Sequence, residues 1–179
     1  AVTPRFLEVW GIAPALGRDF NPDEERFGGP TAVLISARLW RNRFGARPDA
    51  VGKKLHMSGY SYTIVGVMPA SFLFPDRDVD VWSALPMNAP YAQSRDSTWF
   101  NTIGRLKPGL AVAEAQANLT TVQAQLGKQY PNTDAELAVR VQSLKDTIVG
   151  GARGSLWILF GSVSLLLLIA CTNIAALLL

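Results

Sequence analysis

The sequence predicts an α+β fold with mixed sheets in two lobes, followed by a C-terminal transmembrane helix. Short apolar runs rich in β-branched residues predict strands, and apolar residues recur at helical spacing between positions 112 and 126. The third observation is the segment 154–179, which contains no Asp, Glu, Lys, Arg or His. All 17 Lys and Arg residues and all 14 Asp and Glu residues come before it. This contrast predicts that the chain meets a membrane.

The first lobe, residues 1–98, begins with a predicted helix. Thr3 is a suitable N-cap and Pro4 a suitable first-turn residue for the run RFLEVW, which Gly11 ends. The apolar run TAVLIS predicts a buried strand, and Ser36 at its end can cap the helix ARLWRNRF. The lobe is therefore expected to place a buried strand between two helices.

A β-hairpin and a loop-rich segment complete the first lobe. The runs KKLHM and YSYTIVGVM are separated by Ser58 and Gly59, a pair suited to a tight turn between two strands. Residues 69–91 contain four prolines. We therefore expect loops there, with no helix and one short strand around VDVWSAL.

The second lobe, residues 99–146, is predicted to be a βαβ unit near the membrane. FNTIGRL predicts a strand, Pro108 and Gly109 predict a turn, and AVRVQSL predicts a second strand. Between the strands, one apolar helical face is formed by Val112, Ala115, Leu119, Val122 and Leu126. We expect this face to pack onto a sheet, because the repeat is too short for a coiled coil.

Residues 147–154 are predicted to be a short connector and residues 155–179 the transmembrane helix. As a helix, the stretch from Leu156 onward would extend about 36 Å, which exceeds a hydrocarbon core of about 30 Å. Few residues separate the last predicted strand, which ends near Leu144, from the membrane. Movement of the helix should therefore reach the preceding domain with little slack.

Both ends of the sequence are expected to lie within a larger membrane protein. The first residue is Ala1, and Leu179 is not followed by the Lys, Arg, Trp or Tyr residues that usually close a membrane helix. A signal peptide would lie at the other terminus and have a shorter apolar stretch. A C-terminal tail anchor is the alternative.

One side of the predicted membrane helix is formed mostly by small residues. At about 100° per residue, a third of the circumference holds Gly161, Ser164, Leu168, Thr172 and Ala175. Such a face lets another helix approach closely, and Thr172 or Asn173 could bond across it. The alternative is that the hydroxyl groups bond only to the backbone of their own helix.

The residue types that usually perform catalysis or bind metals do not form a recognised motif. His56, the single histidine, lies in a predicted strand, and the sequence has no G-x-S-x-G motif. The run Asp76–Asp80 begins like a calcium loop, but Val81 stands where that loop needs glycine. Cys171 is the only cysteine, which excludes a Cys/His zinc site. We therefore predict no catalytic residue, no metal ion and no cofactor.

Basic residues cluster only between Arg38 and Lys54, where Asp49 is the single acid. One interpretation is a patch for phosphates or anionic lipid headgroups. The other is the solvated side of a short helix whose Trp40 and Phe44 face the core. Because basic residues form no larger patch, we expect no nucleic-acid partner.

Several stretches, taken in order, resemble one known family. They are VTPRFLEVWGIAPALGRDF, AVLISARLWRNRFG, VGKKLHMSGYSYTIVGVMPASFLFP, GRLKPG and LLLIACTNIAALLL. Together they resemble the MacB-like periplasmic core domain joined to the start of an FtsX-like permease domain, in the bacterial subgroup where this arrangement is duplicated. Two positions depart from the family pattern: Ala111, where Ser or Thr usually caps the helix, and Ala176, where a second Asn is common.

The resemblance implies a non-catalytic segment of an ABC-type transporter permease in the bacterial inner (cytoplasmic) membrane, with residues 1–153 on the periplasmic side. It also implies a cytoplasmic ABC ATPase, a homodimer or pseudo-dimer of permease halves, and an extracytoplasmic substrate or partner protein. Two alternatives are a membrane-anchored extracytoplasmic enzyme such as a hydrolase and a tail-anchored binding module. The enzyme would need a cleft with two titratable groups whose pKa values are shifted in opposite directions.

Overall fold

The described residues, 1–95 and 101–178, belong to two structural units in this computed structural model. The first unit is Ala1–Arg105 and the second is Leu106–Leu179. The predicted boundary between the lobes, after residue 98, lies outside the described residues.

The first unit contains a mixed β-sheet and short helices. Its helices are α1 (Phe6–Trp10), α2 (Ala37–Phe44) and α3 (Pro90–Gln93), with a 3-10 turn at Pro48–Ala50. Its strands are β1 (Leu16–Gly17), β2 (Ala32–Ile35), β3 (Lys54–Met57), β4 (Tyr60–Val67) and β5 (Val81–Ser83).

The sheet has the strand order β1-β4-β2-β5, and β3 also pairs with β4. The pair β2–β4 is parallel, with Val33 opposite Ile64, whereas β5 runs antiparallel to β2. Both β1 and β3 run antiparallel to β4, along different parts of its length. The predicted α+β class with mixed strand pairing is therefore confirmed.

Apolar side chains cover both faces of this sheet, because successive residues of β2 point in opposite directions. One cluster lies on the side of α2 and contains Val33, Ile35, Leu55, Ile64 and Val67. The other lies on the side of α1 and contains Leu7, Ala32, Leu34, Val65, Met68 and Trp82. The four residues of β2 are all buried, as the predicted run TAVLIS requires.

Local signals in the sequence predicted the next elements of this unit correctly. The Ser36 hydroxyl caps α2 by accepting a hydrogen bond of 2.9 Å from the Leu39 amide. Ser58 and Gly59 both have positive φ angles and connect β3 to β4, as the hairpin prediction requires. Gly11 adopts the left-handed conformation that ends α1.

Two helix predictions in the first unit are wrong. The first helix begins at Phe6 rather than after Thr3, because Val2 bonds to the backbone of Ser83 and Leu85 beside β5. The backbone at Val2 is therefore extended and hydrogen-bonded beside β5, which delays the start of the helix. A further short helix, α3, begins at Pro90 within the segment expected to lack helix, and proline suits its first turn.

The second unit consists mainly of two helices, α4 (Val112–Gln129) and α5 (Leu144–Leu178). The predicted turn before α4 is present, with the Leu110 amide bonding to the Lys107 carbonyl and Gly109 at a φ of 87°. The helix predicted from the apolar repeat is confirmed.

The two strands predicted on either side of α4 are not formed in the described residues. Residues 101–106 and 138–143 have no strand structure, and Phe100 lies outside the described residues. A strand needs a neighbouring strand to accept and donate its backbone hydrogen bonds. In the described part of the chain, no strand pairs with either segment. Of the predicted βαβ unit, the helix α4 is therefore formed there and the two strands are not.

Candidate functional site

The most extended element of the second unit is α5, a helix of 35 residues. At about 1.5 Å per residue it is about 52 Å long. The Thr147 amide bonds to the Ser143 carbonyl at 3.0 Å, which closes the first turn. The segment 147–154, predicted as a connector, is part of this helix.

The apolar part of α5, Leu156–Ile174, is long and hydrophobic enough to cross a membrane by length and composition. Its mean hydropathy is 2.0, and none of it is buried within the described residues. Trp157 and Phe160 lie near its beginning, with their rings edge to face at 6.0 Å. Tryptophan is enriched at membrane–water interfaces.

The start of α5 is tied to α4 through Gln116. The Gln116 side-chain nitrogen donates to the Val139 carbonyl at 2.8 Å, and its side-chain oxygen accepts from the Val141 amide at 2.7 Å. Alternate residues of an extended chain present their backbone groups to the same edge. The Gln116 amide therefore makes the hydrogen bonds that a neighbouring strand would otherwise make to this segment. The bonded Val141 lies two residues before Ser143.

The other end of α4 is tied to the same return segment, residues 130–143. The Gln123 side chain donates to the Asp134 carbonyl at 2.9 Å. A Cβ atom at Gly127 would lie 3.3 Å from both the Asp134 carbonyl oxygen and the Ala135 Cα. The absence of a side chain at Gly127 thus allows the return segment to lie close against the helix.

The predicted apolar face of α4 is only partly covered, since Ala115 and Leu126 are half-buried and the other members are exposed. Leu119 and Val122 are 43% and 42% exposed. They lie about a quarter of a turn round the helix from Gln116 and Gln123. The expectation that this face packs onto a sheet is wrong for the described residues, because the flanking strands are not formed.

The predicted packing face of the membrane segment consists of Gly161, Ser164, Leu168, Thr172 and Ala175, of which the Ala175 side chain lies outside the described residues. Ser164 and Thr172 donate their hydroxyl hydrogens to Phe160 and Ile169 of their own helix, at 2.8 Å and 2.9 Å. These bonds match the alternative that the hydroxyls satisfy only their own backbone. Helix packing on this face stays a prediction.

In the first unit, the run that resembled a calcium loop binds an arginine. Arg38 donates to both carboxylate oxygens of Asp80, at 3.0 Å and 2.9 Å, and to Asp78 at 2.9 Å. Asp80 also accepts a hydrogen bond from the Ser36 hydroxyl, the cap of α2. The bonds from Arg38 lower the pKa of Asp80, and the Ser36 bond contributes in the same direction. This cluster joins the start of α2 to the segment that precedes β5.

The basic stretch between Arg38 and Lys54 is divided among local ion pairs and the surface. Asp49 pairs with both Arg47 and Lys53, at 3.1 Å and 3.0 Å. Trp40 and Phe44 pack against the core cluster below α2, as the second interpretation of this stretch expects. The stretch is thus mainly the solvated side of a helix and the turn after it.

Two adjacent glutamates have pKa values shifted in opposite directions. Hydrogen bonding from Arg18 lowers the pKa of Glu24, whereas burial raises the pKa of Glu25. Glu24 accepts two hydrogen bonds from Arg18 and one from the Asn21 amide, so it is engaged in an ion pair that holds a turn. This arrangement explains the shift of Glu24 without a catalytic role.

His56 is exposed in β3, opposite Ser61 of β4. Across residues 1–95 and 101–178, no group of three or more His, Cys, Asp or Glu side chains is placed to hold a metal ion.

Sequence reasoning did not identify Gln116 as a candidate residue. The apolar repeat locates the helix, but it does not say which distant backbone groups lack partners. A long amide side chain next to the apolar repeat of a predicted helix was the available signal, and such residues are common on helices. The role of Gln116 depends on where residues 139–141 return to α4.

Comparison with known proteins gives a matching family and a curated relative. The family described as MacB-like periplasmic core domain matches residues 1–122. The macrolide export ATP-binding/permease protein MacB of Burkholderia thailandensis is 28% identical over 127 residues, which cover 69% of this chain. The matched region covers 19% of that relative, so the chain spans about a fifth of its length.

Proposed function

The chain belongs to the MacB-like periplasmic core domain family, and from this membership we propose that it is a non-catalytic part of an ABC-type transporter permease. In this proposal, residues 1–153 lie in the bacterial periplasm. The helix α5 enters the inner membrane as the start of an FtsX-like permease domain. A cytoplasmic ABC ATPase moves the membrane helices, and α5 carries that movement to the periplasmic part of the chain.

The observation that supports this role best is the continuity of α5 from Leu144 to Leu178. Backbone hydrogen bonds join successive turns of a helix, so a rotation or tilt at one end is transmitted to the other. A flexible loop between membrane and domain would absorb such a movement. No loop separates the apolar stretch from residues 144–155, which are helical.

The Gln116 bonds extend this path beyond α5. Val141 is followed by two residues before α5 begins, and its amide bonds to α4 through Gln116. A movement at the start of α5 would therefore act on α4 through a short, hydrogen-bonded segment. In this proposal α4 receives the motion and the family domain, residues 1–122, uses it.

The continuity of α5 is tested by a pair of substitutions at Gly154. A Cβ atom there meets no atom within 4 Å, so both alanine and proline can be introduced without a steric clash of that atom. Gly154→Pro removes a helical hydrogen bond and kinks the helix, at a cost of about 3 kcal/mol. Gly154→Ala favours the helix by about 1 kcal/mol.

The readout is transport by a permease that contains this chain, expressed with its ATPase. Since the curated relative is named for macrolide export, macrolide efflux is the first activity to measure. We expect Gly154→Pro to lower efflux at least about tenfold, because the coupling between two distant sites is typically of this size. Gly154→Ala should preserve efflux. Equal efflux by the two variants at equal expression would rule out transmission through a continuous helix.

Membrane insertion is tested separately with the single cysteine of the chain. Cys171 lies within the apolar stretch, whereas Ile148 is 62% exposed on the same helix before that stretch. In spheroplasts, a membrane-impermeant maleimide should label Ile148→Cys in a Cys171→Ala background but not native Cys171. Rapid labelling of native Cys171 would show that this part of α5 is not in the bilayer.

A further inference from the structure

A cavity of about 490 Å³ lies beside α1 in the first unit. It is bounded mainly by α1, by the loop at Phe74 and Pro75, by β5 and by the chain at residues 101–103. All of its lining residues belong to the unit Ala1–Arg105, and none takes part in the path proposed for α4 and α5. Its volume lies within the range of about 300–1,000 Å³ that is typical of small-molecule sites.

Aromatic rings supply much of the cavity wall, which is lined by Phe6, Trp10, Phe74 and Trp82. The ring centroids of Trp10 and Phe74 are 4.5 Å apart, and those of Phe6 and Trp10 are 6.3 Å apart. Despite these contacts, Phe6, Trp10 and Phe74 are only half-buried. Their apolar ring surfaces are therefore available to a further aromatic group, which is stabilised by edge-to-face or offset contacts with such rings.

The wall carries no charged side chain. In the described part of the chain, no Asp, Glu, Lys, Arg or His lines the cavity. A charged ligand would lose its hydration there without gaining a side chain of opposite charge. Thr3, Asn101 and Thr102 also line the cavity, and their hydroxyl and carboxamide groups can donate and accept hydrogen bonds. The lining thus suits an uncharged molecule with an apolar ring system and few polar groups.

The aromatic wall also contains a buried donor that lacks a partner. Among the described residues, the Trp10 indole nitrogen is buried without a hydrogen bond, whereas that of Trp82 donates to the Phe74 carbonyl at 3.2 Å. Buried donors are nearly always paired, and departures from this rule concentrate at functional sites. Stability alone therefore does not account for the arrangement around Trp10.

We propose that this cavity binds an uncharged aromatic small molecule. Binding here is independent of the membrane role proposed for α5, because no residue of the second unit lines the cavity. Ile103 lines it, three residues before the second unit begins at Leu106. A bound ligand would thus contact the chain that leads to α4.

The first test measures binding of 2-naphthol to the 179-residue chain in lipid nanodiscs by equilibrium dialysis, with empty nanodiscs as the blank for uptake by lipid. Naphthalene-2-sulfonate keeps the two rings but carries a charge, and decahydro-2-naphthol keeps the hydroxyl but has no aromatic ring. We expect saturable binding of 2-naphthol and about tenfold weaker binding of both analogues. No saturable binding of 2-naphthol, or equal binding of either analogue, would overturn the proposal.

The second test locates the bound molecule. Val9→Trp fills the cavity from α1 and should lower the affinity for 2-naphthol at least about tenfold. Val51→Trp is the matched control, because Val51 is also half-buried in the first unit but does not line the cavity. The control should change the affinity by less than about twofold. An equal loss of affinity in both variants would show that binding is elsewhere.

A second variant, Phe74→Leu, keeps the proposal testable if Val9→Trp does not fold. Leucine keeps an apolar side chain but removes the ring beside Trp10. Binding of 2-naphthol should therefore weaken, whereas binding of decahydro-2-naphthol should change little. Thermal unfolding shows which variants remain folded. Unchanged affinity for 2-naphthol in folded Phe74→Leu would exclude the aromatic wall as the binding surface.

The same dialysis with the complete permease that contains this chain decides whether the cavity is open there. Saturable binding of 2-naphthol that is weakened by Val9→Trp supports the proposal. Its absence would overturn the proposal, because another part of the permease would then close the cavity. Gly154→Pro, the variant that tests transmission through α5, should leave 2-naphthol binding unchanged. The two proposals can therefore fail separately.

Discussion

The two structural units treat their apolar residues in opposite ways. In the first unit, Leu34 and Ile64 are 0% exposed within a sheet covered on both faces. In the second unit, Leu119 is 43% exposed on α4 and Leu166 is 66% exposed on α5. Within the described residues, the sheet of the first unit therefore buries its own apolar side chains, whereas those of α4 and α5 are left exposed.

Stability and function are therefore expected to depend on different parts of the chain. A sheet with helices on each side gains stability from burial within one unit. An apolar helix such as α5 gains it from lipid or from other helices. Substitutions in the first unit should consequently change folding, and substitutions in the second should change assembly and coupling.

The largest expected effect is the loss of a core side chain in the first unit. Leu34→Ala removes a side chain with 0% exposure and should lower the free energy of unfolding by about 2–5 kcal/mol. Leu166→Ala makes the same chemical change at a residue that is 66% exposed and should leave unfolding of the first unit unchanged. Urea titrations of both variants in detergent, followed by tryptophan fluorescence, make the comparison. Equal destabilisation would contradict the contrast between the units.

A second test of the tightly packed first unit uses two glycines with matching backbone angles. Gly17 and Gly28 have φ angles of 79° and 80°. A Cβ atom at Gly17 would lie 2.3 Å from the Val65 carbonyl oxygen, whereas at Gly28 it meets nothing within 4 Å. Gly28→Ala should cost about 1–2 kcal/mol for the left-handed conformation alone. Gly17→Ala should cost more, and thermal unfolding that ranks the two in the reverse order would refute this.

The second unit is tested at the amide that joins α4 to the start of α5. Gln116→Leu removes both hydrogen bonds to the return segment, each worth about 0.5–1.5 kcal/mol. We expect faster hydrogen exchange at the Val141 amide, with the first unit unchanged. Gln116→Glu keeps an acceptor for Val141 but loses the donor to Val139, so its effect should be intermediate. Unchanged exchange in Gln116→Leu would remove the proposed link.

A smaller effect concerns acid stability of the first unit. Because hydrogen bonds from Arg38 lower the pKa of Asp80, the unfolded chain binds a proton there more readily than the folded chain. The contribution of Asp80 is therefore present above its unfolded pKa of about 3.9 and is lost as the pH falls toward its lower folded value. Asp80→Asn should flatten this part of a stability-versus-pH curve. An identical curve for Asp80→Asn and the original chain would count against the assignment.

The smallest expected effect is a gain at the start of α4. Ala111 is the N-cap and provides no side-chain acceptor, although Glu114 accepts from its amide at 2.7 Å. Ala111→Ser should complete this cap and stabilise the helix by about 0.5–1 kcal/mol. Hydrogen exchange within α4 should slow, whereas Ala113→Ser, inside the helix, should give no such gain. Faster exchange in Ala111→Ser would show that the cap is not available to a serine.

Part of the fold could be predicted because its causes are local. Ser36 as a cap, Ser58 and Gly59 as a turn, and the repeat within α4 each depend on neighbours a few residues away. The strand prediction for AVRVQSL used the same kind of local pattern and failed for the described residues 138–143. Its alternation is compatible with a strand, but pairing requires a partner whose presence the pattern does not encode.

The candidate site was likewise predictable only where its causes are local. Charge and hydropathy located the apolar membrane segment, and helical spacing defined its possible contact faces. They did not indicate that the segment 147–154, predicted as a short connector, continues the helix back to Leu144, because its three glycines are weak helix formers. Nor could they assign Gln116 to the backbone of residues 139–141.

The α+β class, the hairpin, the α4 helix and the uncharged stretch suited to a membrane could all be predicted from the amino-acid sequence. These features follow from backbone preferences and from the transfer of apolar side chains out of water, which act residue by residue. Three features could be seen only in the folded chain. The helix α1 begins at Phe6, Gln116 makes the hydrogen bonds that a neighbouring strand would make, and α5 is continuous with the segment before it. Each of these depends on which distant backbone groups meet, since a hydrogen bond forms only when donor and acceptor are brought together.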